Sequence, residues 1–303
     1  MTQATAILGL LAQTSIHAGT GSNTGVIDLP IQREGHNGYP CVFGSSMKGA
    51  LRNHAENKYG KINASVTYVF GPNTNGASDH AGSLIISDAR LLLLPVRSLT
   101  SAFKWVTCPD VLKRYQRDAQ RFNYNVSEFS IEIGEEEAWV HTGDNTSNDL
   151  FLEEYRFSQC DRDLSQIIDQ LSALMQRSDA KSVLEKQLVI VSDTMFAHLC
   201  QHATPVNAHI AIDSTSKTVT GGALWYEETL PPETLLYLGL SANKVRKPDE
   251  KNIKVDLPPD DSPTWVLKAV TDLFDTKPWL QVGGNETVGM GWCAVKLLEG
   301  DKK

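Results

Sequence analysis

The chain has 303 residues, 41% hydrophobic and 21% charged, the composition of a globular protein with room for one large or two ordinary domains. Its net charge of −8 looks wrong for a nucleic-acid binder. No apolar run approaches the ~18–20 residues that span a bilayer, and the N-terminal Met-Thr-Gln-Ala-Thr-Ala lacks the basic start of a signal peptide, so a cytoplasmic protein with no membrane partner is expected. The charge is unevenly spread. Residues 128–163 hold eleven acids against two arginines, a local net of −9, so the rest of the chain sums to +1. Five cysteines without a Cys-x-x-Cys pair read as buried, reduced thiols rather than a disulfide framework or a zinc ribbon.

An Ile- and Leu-rich run over residues 5–15 predicts a first strand. It leads into a glycine-rich stretch, residues 13–33, in which Gly19, Gly21 and Gly25 exclude a stable helix and permit φ > 0. Their amides are expected to point inward as a concave nest for an anion such as a phosphate. One acid, Asp28, emerges near Pro30 in an extended, exposed geometry. A helix is predicted over 46–59, capped by Ser45 or Ser46 and carrying the cations Lys48 and Arg52. Turn material at 71–76 precedes strands at 83–87 and 89–96 and an extended run over 98–107. Pro109 opens a helix to residue 122.

The acidic segment shows little helical periodicity until 164–177, an amphipathic helix. A strand at 187–191 and a helix at 193–202 follow. Strands at 206–212 and 223–226 flank a Ser/Thr/Gly turn, and 235–240 is a further apolar strand. Residues 244–263 read as a loop and 264–274 as a helix. A second glycine loop, 283–291, precedes a last strand at 292–298. The order predicts an α+β fold with an antiparallel sheet, such as a ferredoxin-like core with insertions.

Several motifs fail on inspection. Ser45-Ser46-Met47-Lys48 matches the Ser-x-x-Lys of serine β-lactamases, but its Ser-Asp-Asn and Lys-Thr-Gly partners have only poor stand-ins. Gly44 to Lys48 is not a Walker loop, and the second glycine loop precedes a strand where a dinucleotide fingerprint opens a helix. His198 and His202 share a helix face without an obvious third metal ligand. Asp28 suits a hydrated Mg²⁺ or another divalent cation beside a phosphate, with His17 near enough in sequence for general acid–base chemistry.

The blocks Ile16 to Gly21, Gly25 to Glu34, Gly44 to Arg52, Phe70-Gly71-Pro72, Ser87 to Ser98, Gly222 to Thr234 and Gly283 to Gly291 come in an order that resembles the backbone subunit of type III-B CRISPR (Cmr) effector complexes, in the RAMP superfamily. The resemblance implies one domain over 1–303, with a ferredoxin-like (RRM-like) palm, inserted fingers and a thumb-like β-hairpin. Residues 128–163 would be an acidic insertion, and 203–232 the region of the thumb. Copies would stack head to tail along a guide crRNA, with other subunits of the complex, and cut complementary target RNA at regular intervals in a metal-dependent reaction.

By the same resemblance Asp28 is the catalytic and metal-holding acid, and the Glu227-Glu228 pair, Glu227 foremost, assists cleavage, beside the His17 expected from its place in the sequence. Gly19, Gly21, Ser46, Lys48, Arg52, Gly283, Gly284, Gly289 and Gly291 would face RNA. Two positions depart from the pattern: Thr229 stands where a tyrosine often follows the Glu227-Glu228 pair, and His209 where a basic residue is expected. The alternative is a non-catalytic RNA-coating subunit of the same kind of complex.

Overall fold

A computed structural model describes residues 3–22, 25–72, 81–128, 130–143, 148–246, 255–256 and 258–300. Parts of the turn expected at 71–76, of the acidic segment and of the loop at 244–263 lie outside the described residues. Fourteen strands and seven α-helices are found among them. The centre is β1 (Ala4–Ala12), an almost unbroken apolar run. It pairs antiparallel with β12 (Leu235–Ala242) on one side and β14 (Trp292–Glu299) on the other. All eight residues of β12 are buried, so both faces are covered, which is why β1 and β12 read as continuous hydrophobic runs rather than alternating ones.

Beyond β12 lie β4 (Ala89–Arg97) and β5 (Phe103–Thr107). The sheet continues through β9 (Leu188–Ile190), β6 (Glu137–His141) and β8 (Tyr155–Arg162) to β7 (Asp149–Leu152). The short strands β2 (Cys41–Val42) and β3 (Leu84–Ile86) attach to β4 and β12, and β13 (Trp279–Gln281) forms the far edge beside β14. Most pairs are antiparallel. However, β5–β9 and β6–β8 are parallel, so the sheet is mixed rather than purely antiparallel.

The acidic segment is thus not irregular. Three strands pass through it, and the period-2 burial of β6 and β7 keeps Ala138, Val140, Leu150 and Leu152 inside while the acids face out. Two helices without a sequence expectation appear, α2 (Ala64–Phe70) and α5 (Ala180–Gln187). The helix predicted at 164–177 is the shorter α4 (Ser165–Ala173).

Three helices agree closely with expectation: α3 (Pro109–Arg121), α6 (Asp193–His202) and α7 (Pro263–Thr271). In α3, Tyr115 meets Tyr237 edge to face at 5.1 Å between ring centroids, covering one face of β12. The first helix, α1 (Gly44–Tyr59), begins earlier than predicted, and neither Ser45 nor Ser46 caps it. Its first amide, Gly44 N, donates instead to Asp88 Oδ1 at 2.7 Å, a cap supplied across the sheet.

Four of the five cysteines are buried, and burial pushes the thiols of Cys41 and Cys293 up to about 12. Cys160 departs from expectation in being only half-buried. A separate two-stranded ribbon, β10 (Val206–Ile212) with β11 (Val219–Glu228), leaves Val206, Ile210, Ile212, Val219, Leu224 and Tyr226 exposed. Among the described residues no helix is long and apolar enough to cross a membrane.

Candidate active site

Antiparallel pairing places the exit of β1 beside the entries of β12 and β14, since Leu11 stands opposite Leu235 and Ala12 opposite Cys293. Three stretches remote in sequence therefore meet there: the glycine-rich stretch after β1, the end of β11, and the loop between β13 and β14. The first is a tongue rather than an open loop. Gln32 N donates to Ala18 O at 2.8 Å and Thr20 N to Pro30 O at 3.1 Å, so its two limbs form a short ladder around the Gly19–Ile31 bridge. The Gln32 amide ties it to α1, with Nε2 donating to Gly19 O and to Ser46 Oγ while Oε1 accepts from Phe43 N.

The returning limb lies along β11. Leu29 N donates to Tyr226 O and Glu228 N to Leu29 O, both at 3.0 Å. Asp28 sits at this seam. It is half-buried rather than exposed, and its Oδ2 accepts from Tyr226 N at 2.8 Å, which fixes the carboxylate at the root of the β10–β11 ribbon. Among the described residues Oδ1 has no hydrogen bond, whereas Val26, two residues earlier, is 94% exposed near the tip of the tongue.

The acid pair after Asp28's partner splits into two jobs. Glu228, 3% exposed, accepts from Thr204 Oγ1 at 2.7 Å, from Ile31 N at 3.1 Å and from Arg33 Nη2. It stitches the tongue to β11, and these bonds fill three of its four acceptor positions. Glu227, also buried, accepts from Asn285 Nδ2 with both oxygens, at 2.8 and 3.0 Å. That bond holds the second glycine loop against β11. His209 Nε2 stands 4.0 Å from Glu227 Oε1, and its ring stacks on Trp225.

His17 is only 9% exposed. Its Nδ1 donates to Glu228 O at 2.8 Å, since a carbonyl can only accept, so the neutral ring carries its lone pair on Nε2. A Cβ on Gly19 would stand 2.7 Å from that nitrogen, which makes glycine obligatory there for this ring position. Gly283 has φ +86°, and a Cβ on it would fall 2.4 Å from His17 O. The two glycine loops thus pack directly on one another through His17.

This packing occupies amides of the second glycine loop. Gly284 N donates to His17 O, Gly291 N to Ser15 O and Gly289 N to Glu286 O, so these three amides are used within the protein. Of the expected RNA-facing cations, Lys48 is exposed on α1. Arg52 is not a free cation: Nε pairs with Glu56 and Nη1 donates to Gly71 O at 3.0 Å, tying α1 to the end of α2. Ser46 is half-buried and bonded to the Gln32 amide, and Gly21, exposed past the Gly19–Ile31 bridge, stands in open space at φ +98°. On α6, His198 Nε2 is hydrogen bonded with Tyr155 OH at 2.7 Å. Sequence reasoning missed Asn285 and Gln32, which lie in the quoted blocks but act through contacts across the fold.

The RAMP superfamily model matches residues 10–294. The CRISPR system Cmr endoribonuclease Cmr4 of Pyrococcus furiosus is 33% identical over 298 residues, covering 97% of this chain and 95% of the relative. The CMR subunit Cmr4 of Saccharolobus solfataricus is 25% identical over 95% of this chain and 94% of its own. Among solved structures, oligomeric Cmr4 from Pyrococcus furiosus superposes with a TM-score of 0.72 at 26% identity, covering 98% of both chains. With residues 10–294 matched by the family and 97% of its length covered by a relative 33% identical to it, this chain belongs to the RAMP superfamily.

Proposed function

We propose that the chain is the repeated subunit of a type III-B CRISPR effector complex in the cytoplasm. Copies coat a guide crRNA head to tail, beside other subunits, and cleave complementary target RNA at regular intervals. The observation that carries this reading is Asp28, held by the Tyr226 amide where the tongue, the β10–β11 ribbon and the second glycine loop converge. The 33% identity to an endoribonuclease of that system supports it. The finer anatomy is part of the proposal. The order β14-β1-β12-β4, with α1 and α7 in the connections, supports a ferredoxin-like palm. The ribbon is the thumb, and the strands through 128–163 form an insertion in the fingers of a single domain over 1–303.

RNA carries its own nucleophile, the 2′-hydroxyl, so cleavage chiefly needs one nucleotide held unstacked with its phosphate in line. Asp28 is the acid at that phosphate. Among the described residues no group of three or more His, Cys, Asp or Glu could enclose a metal. A single open carboxylate oxygen still fits Mg²⁺, which keeps most of its waters and takes substrate phosphate oxygens. When bound, the cation would neutralise charge building on the phosphate and leaving oxygen.

His17, buried behind Gly19, is a positioning residue that fixes the seam between the loops, and Glu227 fixes the second glycine loop through Asn285. Lys48 supplies charge for the guide backbone, and sequence is left to base pairing. The alternative reading, a coating subunit without cleavage, draws on the same Asp28–Tyr226 bond, which a purely structural acid would also make. The test is labelled target RNA incubated with assembled complex. Regularly spaced products that vanish with EDTA support the enzyme; intact target, bound and protected, supports the coat alone.

A further inference from the structure

Between α1 and the β13–β14 edge lies a cleft of about 260 Å³ that the proposed cleavage chemistry does not use. One wall is aromatic. Trp292 pairs with Gln281 across the ladder and Trp279 stands two residues before Gln281, so both indoles project from the same face of the sheet edge. Trp279 and Trp292 are 43% and 41% exposed, and the other four of the chain's six tryptophans are buried or half-buried. The other wall is one stripe of α1, Ala50, Asn53, His54 and Asn57, at the i, i+3, i+4, i+7 spacing of a helix face. Lys277 and Glu286 also line it. Among the described residues, the side chains of Asn53, Asn57 and Lys277 make no hydrogen bond or ion pair.

Two exposed tryptophans on one face, lining one cleft, form an apolar patch of the kind that marks a binding site. The occupant must be flat and aromatic to stack on indole, with hydrogen-bonding edges that match two carboxamides, and must accept a cation beside it. A nucleobase on its ribose phosphate meets all three requirements. We infer that this cleft binds one unstacked nucleobase of a single-stranded RNA, an inference that rests on the RNA-binding reading above.

The helix supports the path. At about 100° per residue, Lys48 and the cleft residues lie on opposite flanks of the exposed face of α1. Between them is Gly49, where an added Cβ would meet nothing within 4 Å. A strand crossing the helix there can approach its backbone closely. One of its phosphates then falls toward Lys48 and a base toward the tryptophans.

The test uses the full-length chain, a short oligoadenylate, and an abasic ribose-phosphate chain of the same length. Wild type should bind oligoadenylate more tightly than the abasic chain, with quenching of tryptophan fluorescence. Trp279→Ala with Trp292→Ala should lose the quench and weaken oligoadenylate binding at least about fivefold, the lower end for a base stacked on an aromatic ring. Its affinity for the abasic chain and its salt slope should not change. Asn53→Ala with Asn57→Ala, on an exposed helix face where folding is not at stake, should weaken oligoadenylate alone.

If both double variants keep the preference for bases over the abasic chain, the cleft is not a base site, while the RNA-binding reading survives. Should the wild type bind neither chain, the broader reading falls and this inference with it. A loss of self-association in sedimentation with base preference intact would make the cleft a contact between copies and overturn the proposal.

Discussion

Replacing Glu228 with alanine removes an acceptor that three groups share: Arg33 Nη2, Thr204 Oγ1 and Ile31 N. Thr204 and Ile31 are buried, so two donors would be left without a partner inside the protein. Each such loss costs about 1–3 kcal/mol. Arg33 keeps Gly38 O and Cys200 O, both at 2.8 Å, and its side chain is partly solvated, so its share is smaller than that of a fully buried ion. Together these give about 3–5 kcal/mol, in line with removing one partner of a buried ion pair. At roughly 2 °C per kcal/mol for a chain of this size, Tm should fall by about 6–10 °C.

Glu227→Gln is the internal control. Its oxygen still accepts from Asn285 Nδ2, so its Tm should drop by no more than about 2 °C, the equivalent of about 1 kcal/mol for weakening one hydrogen bond from charged to neutral. Both proteins are compared with wild type by calorimetry under identical buffer and salt. A Glu228→Ala melt within about 1 °C of wild type would refute the division of labour between these neighbouring acids.

Lys48→Ala should leave Tm unchanged and lower the slope of log affinity against log salt for single-stranded RNA by about 0.7. Arg52→Ala should instead lower stability by about 1–2 kcal/mol, through its lost bonds to Glu56 and Gly71 O, with the salt slope unchanged, as filter binding and melts will show. In native protein a thiol reagent should label Cys160 first, and Cys41, Cys108, Cys200 and Cys293 only on unfolding; mass spectrometry of the labelled peptides decides. The Asp213 carboxylate is held below its ordinary 3.8 by the amide and hydroxyl of Ser216 and the amide of Thr215. A depressed folded value means that the ribbon's turn is supported above pH 3.8 and loses that support as pH falls through the folded value. Amide exchange at Thr215 and Ser216 should therefore accelerate beyond its intrinsic pH dependence only in that acid window.

Strands and helices whose signals are local were legible in the sequence. The apolar runs of β1 and β12 and Pro109 at the start of α3 each announce themselves within a few residues. In the acidic segment the alternation of β6 and β7 was present but masked by the density of charge around it. The run Ala-Ser-Val-Thr-Tyr-Val-Phe of α2 is β-branched and aromatic, so propensity argues against the helix that packing imposes. Asp28 was legible as an acid of interest, but its partner Tyr226 N lies 198 residues away. The same distance effect hid the roles of Glu228 and Asn285, and it left Arg52 looking like a free cation. Residue types could be read; which donor each one holds depends on how the strands bring their loops together.

The central claim is that Asp28 is the acid at the scissile phosphate, and Asp28→Asn tests it most directly. Asparagine keeps the volume and an oxygen that can still accept from Tyr226 N, so the tongue should stay docked while the charge is lost. Complex assembled with this variant should bind guide and target as wild type does in a mobility shift, and should give no products from labelled target in Mg²⁺ on a denaturing gel. Cleavage at the wild-type rate by the asparagine variant would contradict the account and move the catalytic acid elsewhere in the complex.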